Sequence, residues 1–193
     1  MKPKLIAFEG PDCVGKSTQV EEVKQALRIK GLRVSSHKIP YVEDTITYEI
    51  ISSLIRKNET FNYPFLFQGA MIDNRYAFQR DKINCSEEDV ILVDRWNLST
   101  LFYGEAQGIS QKVSRNLLAK VLDPDAYIIF DGAPFSRESN DSLDSDMDLQ
   151  RKVRYLYENH ESDNSFHVEA QGSILEVTRR ILLLLQTKVN LWS

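Results

Sequence analysis

One stretch near the N-terminus, from Leu5 to Gln19, restricts the fold of this chain more than any other. It starts with the apolar run Leu5–Phe8, and Gly10–Ser17 then reads G-x-x-x-x-G-K-S before a segment with helical spacing of apolar residues. Glycine suits such a turn because backbone N–H groups must wrap closely around phosphate oxygens. The following helix points the positive end of its dipole at the same phosphates. The stretch therefore predicts a strand, a phosphate-binding loop and a helix.

The loop residues have separate expected roles in binding a nucleoside triphosphate. Lys16 supplies a mobile positive charge for the outer phosphates, and the Ser17 hydroxyl is the expected ligand of a magnesium ion. The residues predicted to bind the triphosphate are those of the loop and the start of the helix: Gly10, Pro11, Asp12, Cys13, Val14, Gly15, Lys16, Ser17 and Thr18.

Composition predicts one ordinary globular domain and excludes several kinds of partner. The 193 residues carry a net charge of −4, which does not favour broad nucleic-acid binding. The longest apolar run, Ile181–Leu185, is far shorter than the ~18 residues of a membrane span. Two cysteines, Cys13 and Cys85, are too few for a disulfide framework. We therefore expect a cytoplasmic protein whose partners are small molecules, with neither a nucleic-acid nor a membrane partner.

Downstream of the loop, apolar runs typical of strands alternate with segments of helical spacing. The clearest run is Val90–Val93, because four consecutive apolar residues suit a strand that is buried on both faces of a parallel sheet. Other strands are predicted at 4–9, 32–39, 126–130 and 166–170, and the polar residues 133–146 predict a loop. A long helix rich in aromatic residues is predicted over 61–83, and Ser173-x-x-Glu176 predicts a capping box at the start of the final helix. The alternation predicts an α/β fold with a doubly wound parallel sheet and ligands at the carboxyl ends of its strands.

The loop pattern alone does not separate GTP-driven switches, ATP-driven motors and kinases. A GTPase requires a guanine-reading N-K-x-D or T-K-x-D sequence, and the chain contains neither. A motor ATPase does not suit so short a chain, so a small kinase remains.

Two segments carry a resemblance to a known family. Phe8–Gln19 reads F-E-G-x-D-x-x-G-K-S-T-Q and resembles the opening signature of thymidylate kinases, and Asp94–Tyr103 reads D-R-W-x-x-S-T-x-x-Y and resembles their second signature. Asn74-Arg75 and residues 166–177 are similar to weaker elements of the same family. The resemblance implies a P-loop NTPase-type three-layer α/β/α fold with a five-stranded parallel sheet. It also implies a single nucleoside monophosphate kinase domain over residues 1–193, with a short lid at about 133–148.

The same resemblance implies the reaction and its residues. ATP, with Mg²⁺ as cofactor, would phosphorylate a deoxynucleoside monophosphate, dTMP to dTDP. Ser17 and Asp94 would hold the metal, and the expected catalytic residues are Lys16, Asp94, Arg95 and Arg137. The acceptor would be bound by residues of the loop, of the long helix and of the second signature: Asp12, Phe67, Gln68, Met71, Arg75, Arg95, Ser99, Thr100 and Tyr103.

Within the acceptor set, the resemblance implies individual positions. Asp12 would lie near the sugar 3′-hydroxyl, and Tyr103 would lie under the deoxyribose. Arg75 would hold the acceptor phosphate or the base edge, while Ser99 and Thr100 would approach the thymine. On the donor side, the resemblance implies that the last strand and residues 170–173 border the adenine of ATP. The family also implies a homodimer through helices that flank the sheet.

The chain departs from the family where it would contact the acceptor and in the lid. No arginine follows Pro40, where the family has one for the acceptor phosphate. Met71 stands where the family has a base-stacking phenylalanine, and Phe67, one helical turn earlier, is the expected substitute. Arg137 is the sole arginine of the predicted lid and hence the candidate for the γ-phosphate, with Arg151 as the second candidate.

Two other functions stay open at this point. Phe65-x-Phe67-Gln68 followed by Arg75 resembles deoxynucleoside kinases, whose acceptor hydroxyl needs a carboxylate base. Glu43 lies two residues later than that family's base, whereas a monophosphate acceptor is ionised at pH 7 and needs none. The missing arginines instead fit a nucleotide-binding protein without turnover, although the intact loop and D-R pair favour an enzyme.

Overall fold

The computed structural model describes residues 2–132 and 147–192, in which five parallel strands form a sheet of order β2-β3-β1-β4-β5. The predicted α/β fold with a five-stranded parallel sheet is confirmed, whereas most of the predicted lid lies outside the described residues. The strands are β1 Lys4–Glu9, β2 Val34–Lys38, β3 Val90–Asp94, β4 Ala126–Asp131 and β5 Ser165–Glu169.

Helices cover both faces of the sheet. In the described residues they are α1 Lys16–Ile29, α2 Thr45–Arg56, α3 Pro64–Phe78, α4 Asn97–Ala106, α5 Gln111–Leu118, α6 Met147–Glu158 and α7 Ile174–Thr187. Helices α1 and α7 pack on one face, and α2 to α6 contribute to the core on the other. Within the same residue ranges, every helix is too short or too polar to cross a membrane.

Strand β1 explains why the central strands read as continuous apolar runs. Ile6 and Phe8 belong to the core beneath α1 and α7, whereas Leu5 and Ala7 belong to the core beneath the other helices. Because successive side chains of a strand point to opposite faces, a strand covered on both sides needs an apolar residue at nearly every position.

Several boundaries differ from the predicted ones for local reasons. The long helix predicted over 61–83 begins at Pro64, because proline is tolerated in the first turn of a helix, and it continues as a π-helical turn over Gln79–Ile83. The predicted capping box is confirmed: Ser173 N donates to Glu176 Oε2 at 2.7 Å, and Glu176 N donates to Ser173 Oγ at 3.3 Å.

The strand order brings the two signature segments together. Strand β1 pairs with β3 in parallel, with Phe8 opposite Asp94. The turn after β1 and the turn after β3 therefore leave the same edge of the sheet side by side. Arg95, the first residue after β3, donates its backbone N–H to the Phe8 carbonyl at 2.9 Å. Ligands of open α/β sheets bind at this edge, outside the carboxyl ends of the strands.

Candidate active site

The loop between β1 and α1 turns through residues with positive φ. Gly10 has φ 142° and Gly15 has φ 89°, and Cys13 also lies in the left-handed region, with φ 60°. A Cβ on Gly10 would lie 3.1 Å from the Phe130 carbonyl oxygen of β4. Glycine at position 10 is therefore required both by the backbone conformation and by the neighbouring strand.

Lys16 begins α1 and folds its side chain back over the loop. Its ammonium donates to the Gly10 carbonyl at 3.2 Å and to the Pro11 carbonyl, and the residue is only 6% exposed. Burial and then the nearby Arg95 guanidinium lower the pKa of Lys16 from 10.5 to about 8. A cation held at this energetic cost beside a glycine turn is suited to bind phosphate oxygens.

The predicted metal ligands lie in contact with each other. Ser17 Oγ donates to Asp94 Oδ2 at 2.5 Å. The other carboxylate oxygen, Asp94 Oδ1, is buried and accepts no hydrogen bond within the described ranges. A hydroxyl and a carboxylate with one unsatisfied oxygen form a donor set that suits a hard cation such as Mg²⁺. The pair therefore fits the magnesium ion that accompanies a triphosphate.

Asp12, at the middle of the loop, is the centre of a polar cluster. Its carboxylate forms an ion pair with Arg95 and accepts hydrogen bonds from the Tyr103 hydroxyl and, at 2.9 Å, from Gln150 Nε2. Burial raises the pKa of Tyr103 above its ordinary value, so this hydroxyl stays protonated and can donate. The Arg95 guanidinium also lies over the Tyr103 ring, 5.2 Å from its centre. The cluster ties the loop to α4 and α6.

A cavity of about 280 Å³ opens beside Asp12 and extends between the sheet edge, α2, α3 and α4. It has an apolar wall and a polar end, which suits a ligand with an aromatic ring and charged groups. Eight of the nine residues predicted to bind the acceptor line it: Asp12, Phe67, Gln68, Met71, Arg95, Ser99, Thr100 and Tyr103.

A second cavity of about 300 Å³ lies on the other side of the loop. Cys13, Gly15 and Thr18 form one wall, and residues of β4 and of the segment from Ala170 to Val177 form the other. The segment 170–173 is the one predicted to border the base of the donor. The phosphate-binding loop therefore separates two cavities, and Asp12 and Cys13 face different ones.

Comparison with known proteins identifies the family. The sequence profile of the thymidylate kinase family matches residues 8–181. The chain belongs to this family. A protein described as "Probable thymidylate kinase" from Sulfurisphaera tokodaii is 27% identical over 188 residues, covering 97% of this chain and 85% of the relative. The thymidylate kinase of Caldicellulosiruptor saccharolyticus is 28% identical over 203 residues, covering 94% and 95%.

A solved structure supports the fold independently of sequence identity. The thymidylate kinase of Candida albicans superposes with a TM-score of 0.75 at 20% identity, over 99% of this chain and 94% of that one. As a member of the thymidylate kinase family, the chain is a nucleoside monophosphate kinase with the P-loop NTPase fold.

The structure places Arg75, the ninth predicted acceptor residue, outside the lining of the cavity beside Asp12. Its side chain is fully buried, and its two terminal nitrogens donate to the Met71 and Trp96 carbonyls, each at 2.8 Å. Burial lowers the pKa of Arg75 to about 10, so it remains charged at pH 7. The hydrogen bond to the Trp96 carbonyl joins α3 to the start of α4. The geometry therefore favours a structural role for Arg75 over the predicted phosphate contact.

The hydroxyl groups of Ser99 and Thr100, both predicted to approach the base, differ in whether they already have hydrogen-bond partners. Ser99 Oγ donates to Glu9 Oε2 at 2.6 Å and accepts from Arg95 at 3.1 Å, so it is already engaged. Thr100 Oγ1 is buried and makes no hydrogen bond to the residues that the structure describes. Because an unpaired buried hydroxyl is costly, Thr100 is the better candidate for a polar contact with a bound base.

Glu9 is a residue of the site that the sequence reasoning missed. It ends β1, is fully buried, and accepts hydrogen bonds from Trp96 N at 2.8 Å, Ser99 N at 3.1 Å and the Tyr157 hydroxyl at 2.8 Å. These contacts satisfy donors at the start of α4 and connect that helix to α6. The sequence did offer a signal for Glu9, because its carboxylate directly follows the apolar run Leu5–Phe8. Its position in the strand, rather than in the phosphate-binding loop, kept it out of the predicted site.

The structure describes only one of the two arginines considered above for the γ-phosphate. Arg137 lies outside the described residues, so its predicted contact with the γ-phosphate stays a prediction. Arg151 lies on α6, where its exposed guanidinium forms an ion pair with Asp148 at 3.1 Å.

The low pKa of Lys16 predicts that ATP binding weakens in alkaline solution. Above pH 8 the free protein loses the Lys16 proton, whereas phosphate oxygens would raise the pKa of the bound ammonium, so binding must take up a proton. We expect the Kd for MgATP to rise by up to about tenfold per pH unit above pH 8. Isothermal titration calorimetry at pH 7, 8 and 9 in two buffers of different ionisation enthalpy measures both effects. A Kd that is constant across this range, with no proton uptake at pH 9, would contradict the prediction.

Proposed function

We propose that this protein transfers the γ-phosphoryl group of ATP to dTMP, forming dTDP and ADP. The observation that supports this best is the position of Asp12, which belongs to the phosphate-binding loop and also lines the cavity of about 280 Å³. We assign this cavity to the acceptor and name it the acceptor cavity, and we assign the second cavity, of about 300 Å³, to ATP and name it the donor cavity. One turn of chain therefore contacts both cavities, which suits an enzyme that brings a donor and an acceptor into line.

The acceptor cavity offers complementary groups for the base and the sugar of a deoxynucleotide. Phe67 and Met71 provide apolar surface for the base, and Thr100 provides an unsatisfied hydroxyl for its polar edge. Tyr103 and Asp12 lie together at the end of the cavity where the sugar would bind. The Tyr103 ring in this position would disfavour a ribose, because a 2′-hydroxyl would have to fit against it.

Phosphoryl transfer needs positioning and charge neutralisation from the protein rather than covalent catalysis. An acceptor phosphate oxygen attacks the γ-phosphorus of ATP, and the bond to the β,γ-bridging oxygen breaks, so its electron pair leaves with ADP. Lys16 and Arg95 stabilise the charge on the transferring group, together with Arg137 from the lid. Ser17 and Asp94 would hold the Mg²⁺ ion, which when bound neutralises charge on the β- and γ-phosphates.

The position of Glu43 disfavours the deoxynucleoside kinase alternative. A nucleoside hydroxyl needs a carboxylate base within hydrogen-bond reach. Glu43 does not line the acceptor cavity, and its carboxylate is held by Lys82 at 2.9 Å and by the Tyr41 hydroxyl at 2.7 Å. These two hydrogen bonds lower the pKa of Glu43, which makes it a weaker base. The carboxylate that lines the cavity, Asp12, is already paired with Arg95.

A coupled assay of ADP release tests the proposed acceptor. The wild-type protein is incubated with MgATP and, separately, with dTMP, dUMP, dCMP, thymidine and deoxycytidine, and a reaction without acceptor measures ATP hydrolysis. We expect the highest kcat/KM with dTMP and none above background with the nucleosides. Activity confined to nucleosides would replace the proposal with the deoxynucleoside kinase reading, and activity with none of these acceptors would favour the degenerate protein.

We also propose that the protein is a homodimer formed through α2 and α3. The apolar side chains Leu66 and Tyr76 on α3 and Ile46 on α2 are 51%, 47% and 72% exposed. Large apolar side chains exposed on two neighbouring helices fit an interface with a second copy. The predicted cytoplasmic location and the exclusion of nucleic-acid and membrane partners stay predictions.

Light scattering coupled to gel filtration tests the dimer. We expect a molar mass of twice the 22.3 kDa chain mass for the wild type and one chain mass for the Leu66→Glu, Tyr76→Glu double variant. The matched control is Leu117→Glu on α5, which changes an equally exposed leucine on a different surface and should remain dimeric. A monomeric wild type would refute the proposed interface.

A further inference from the structure

The acceptor cavity contains two basic side chains, and only one of them has a carboxylate partner in the described ranges. Arg95 forms its ion pair with Asp12. Lys38, the last residue of β2, lines the same cavity and is exposed, and its ammonium makes no hydrogen bond or ion pair with residues 2–132 or 147–192. Within the part of the chain that the structure describes, no carboxylate therefore offsets the charge of Lys38 at this cavity.

The sheet register places Lys38 beside the residues of phosphoryl transfer. Lys38 is the parallel partner of Asp94, and Ile39 N donates to the Asp94 carbonyl at 3.1 Å. Four residues upstream in the same ladder, Val34 and its partner Val90 both belong to the core beneath α1. Side chains four residues apart on a strand point to the same face of the sheet. The side chains of Lys38 and Asp94 therefore leave the sheet on the face covered by α1, where Ser17 donates its hydrogen bond to Asp94. The flexible lysine stem thus starts beside Asp94 in the sheet, and the residue also lines the acceptor cavity.

An acceptor phosphate bound at the carboxyl edge of the sheet would need a positive charge, and Lys38 can supply it. An acceptor phosphate monoester carries a charge of about −1.5 to −2 at pH 7. Arg95 is already offset by Asp12, and Lys16 is turned toward the loop that serves the donor. A nucleotide whose phosphate is a dianion would therefore need a further cation in this cavity. The corresponding nucleoside has no phosphate and would not need one.

We propose that Lys38 binds the phosphate of the monophosphate acceptor and thereby makes the site select a nucleotide over its nucleoside. The inference rests on the proposed function, since it assumes that the cavity holds the acceptor. Lys38 is a specificity-determining residue in this account, and the donor cavity does not include it. Its loss should affect the phosphate-bearing acceptor alone.

The test compares Lys38→Ala and Lys38→Arg with the wild type, using dTMP and thymidine as a matched pair of ligands. Calorimetric Kd values are measured for each, followed by the KM for dTMP and for MgATP. We expect Lys38→Ala to raise the Kd and KM for dTMP by about 10- to 100-fold, as for a charge-assisted hydrogen bond. Thymidine and MgATP binding should change by less than about twofold, and Lys38→Arg should restore most of the dTMP affinity. The matched control, Lys112→Ala on exposed α5, should leave every value unchanged.

The outcomes separate this inference from the proposed function. An unchanged dTMP Kd in Lys38→Ala, or an equal loss for dTMP and thymidine, would overturn the role of Lys38 even if dTMP is the substrate. If the wild type prefers another monophosphate, the proposed acceptor is wrong, and the same comparison with that nucleotide and its nucleoside still decides the role of Lys38. A wild type that binds no monophosphate would overturn both.

Discussion

Replacing Lys16 with methionine should abolish most phosphoryl transfer while making the fold more stable at neutral pH. Methionine matches the length and apolar character of the lysine stem but has no charge. The variant loses a cation from the donor phosphates, and we expect kcat to fall at least about 10²- to 10³-fold, as when one preorganised charge-stabilising group is removed from an active site.

The stability change follows from the pKa of Lys16. A shift from 10.5 to about 8 means that the folded state disfavours the charged ammonium. At about 1.4 kcal/mol per pKa unit, this costs at most about 3 kcal/mol below pH 8, and the cost declines as pH rises toward 10.5. Lys16→Met should therefore raise the free energy of unfolding at pH 7 and raise it less at pH 10, with the two lost carbonyl contacts reducing the gain.

Steady-state kinetics and urea unfolding at pH 7 and pH 10 measure both effects. Lys112→Met, on the exposed surface of α5, is the matched control and should change neither activity nor stability. A variant that keeps more than a tenth of the wild-type kcat would show that Lys16 does not act on the transferred phosphate. A loss of stability at pH 7 would show that the buried ammonium is favourable for folding.

Arg95→Ala should lower kcat by about 10³-fold, because an arginine at the transferring phosphoryl group can be worth that much. Arg95 reaches the cavity because its backbone is left-handed, with φ 73°, a conformation that turns the side chain toward Asp12 and Tyr103. Removing the guanidinium leaves Asp12 with hydrogen bonds from Tyr103 and Gln150 but without its ion pair. MgATP affinity should change much less than kcat, because a charge aimed at the transferring group acts most strongly in the transition state.

Two further variants, Arg95→Lys and Arg115→Ala, test whether the loss of kcat is specific to the guanidinium of Arg95. Lysine keeps the charge but cannot reproduce the planar guanidinium, so we expect an intermediate kcat. Arg115 is an exposed arginine of α5, and its loss should leave kcat unchanged. Circular dichroism and the MgATP Kd check that the site remains folded. If Arg95→Ala retained full turnover with dTMP, the assignment of Arg95 to the transferring group would be wrong.

The sequence was sufficient to predict the fold and the two ends of the loop because these depend on local patterns. Val90–Val93 predicts a doubly covered strand whatever surrounds it, and the observed β3 over Val90–Asp94 is buried throughout. Gly10 and Gly15 predict a turn with positive φ, and both have it. The second signature follows β3 directly, so the pairing of β3 with β1 was enough to bring Arg95 to the loop.

Residues whose role depends on side-chain direction could not be assigned in the same way. Arg75 and Met71 lie one turn apart on α3, yet Met71 lines the cavity and Arg75 is buried behind it. Glu9 reads as part of a strand, and its role appears only when α4 and α6 supply donors that are 87 or more residues distant. The role proposed for Lys38 could be inferred only from the strand register and from the lack of an ion-pair partner among the described residues.

The most direct test of the central claim is the ratio of kcat/KM for dTMP to that for thymidine, measured on the wild-type protein with saturating MgATP. Separation of the products by anion-exchange chromatography shows whether dTDP or dTMP is formed, and the ADP produced must equal the nucleotide product. This account predicts that dTMP is converted to dTDP with a ratio of at least about 10², consistent with the loss of one charge-assisted contact and of the attacking phosphate. Formation of dTMP from thymidine at an equal or higher kcat/KM would contradict it.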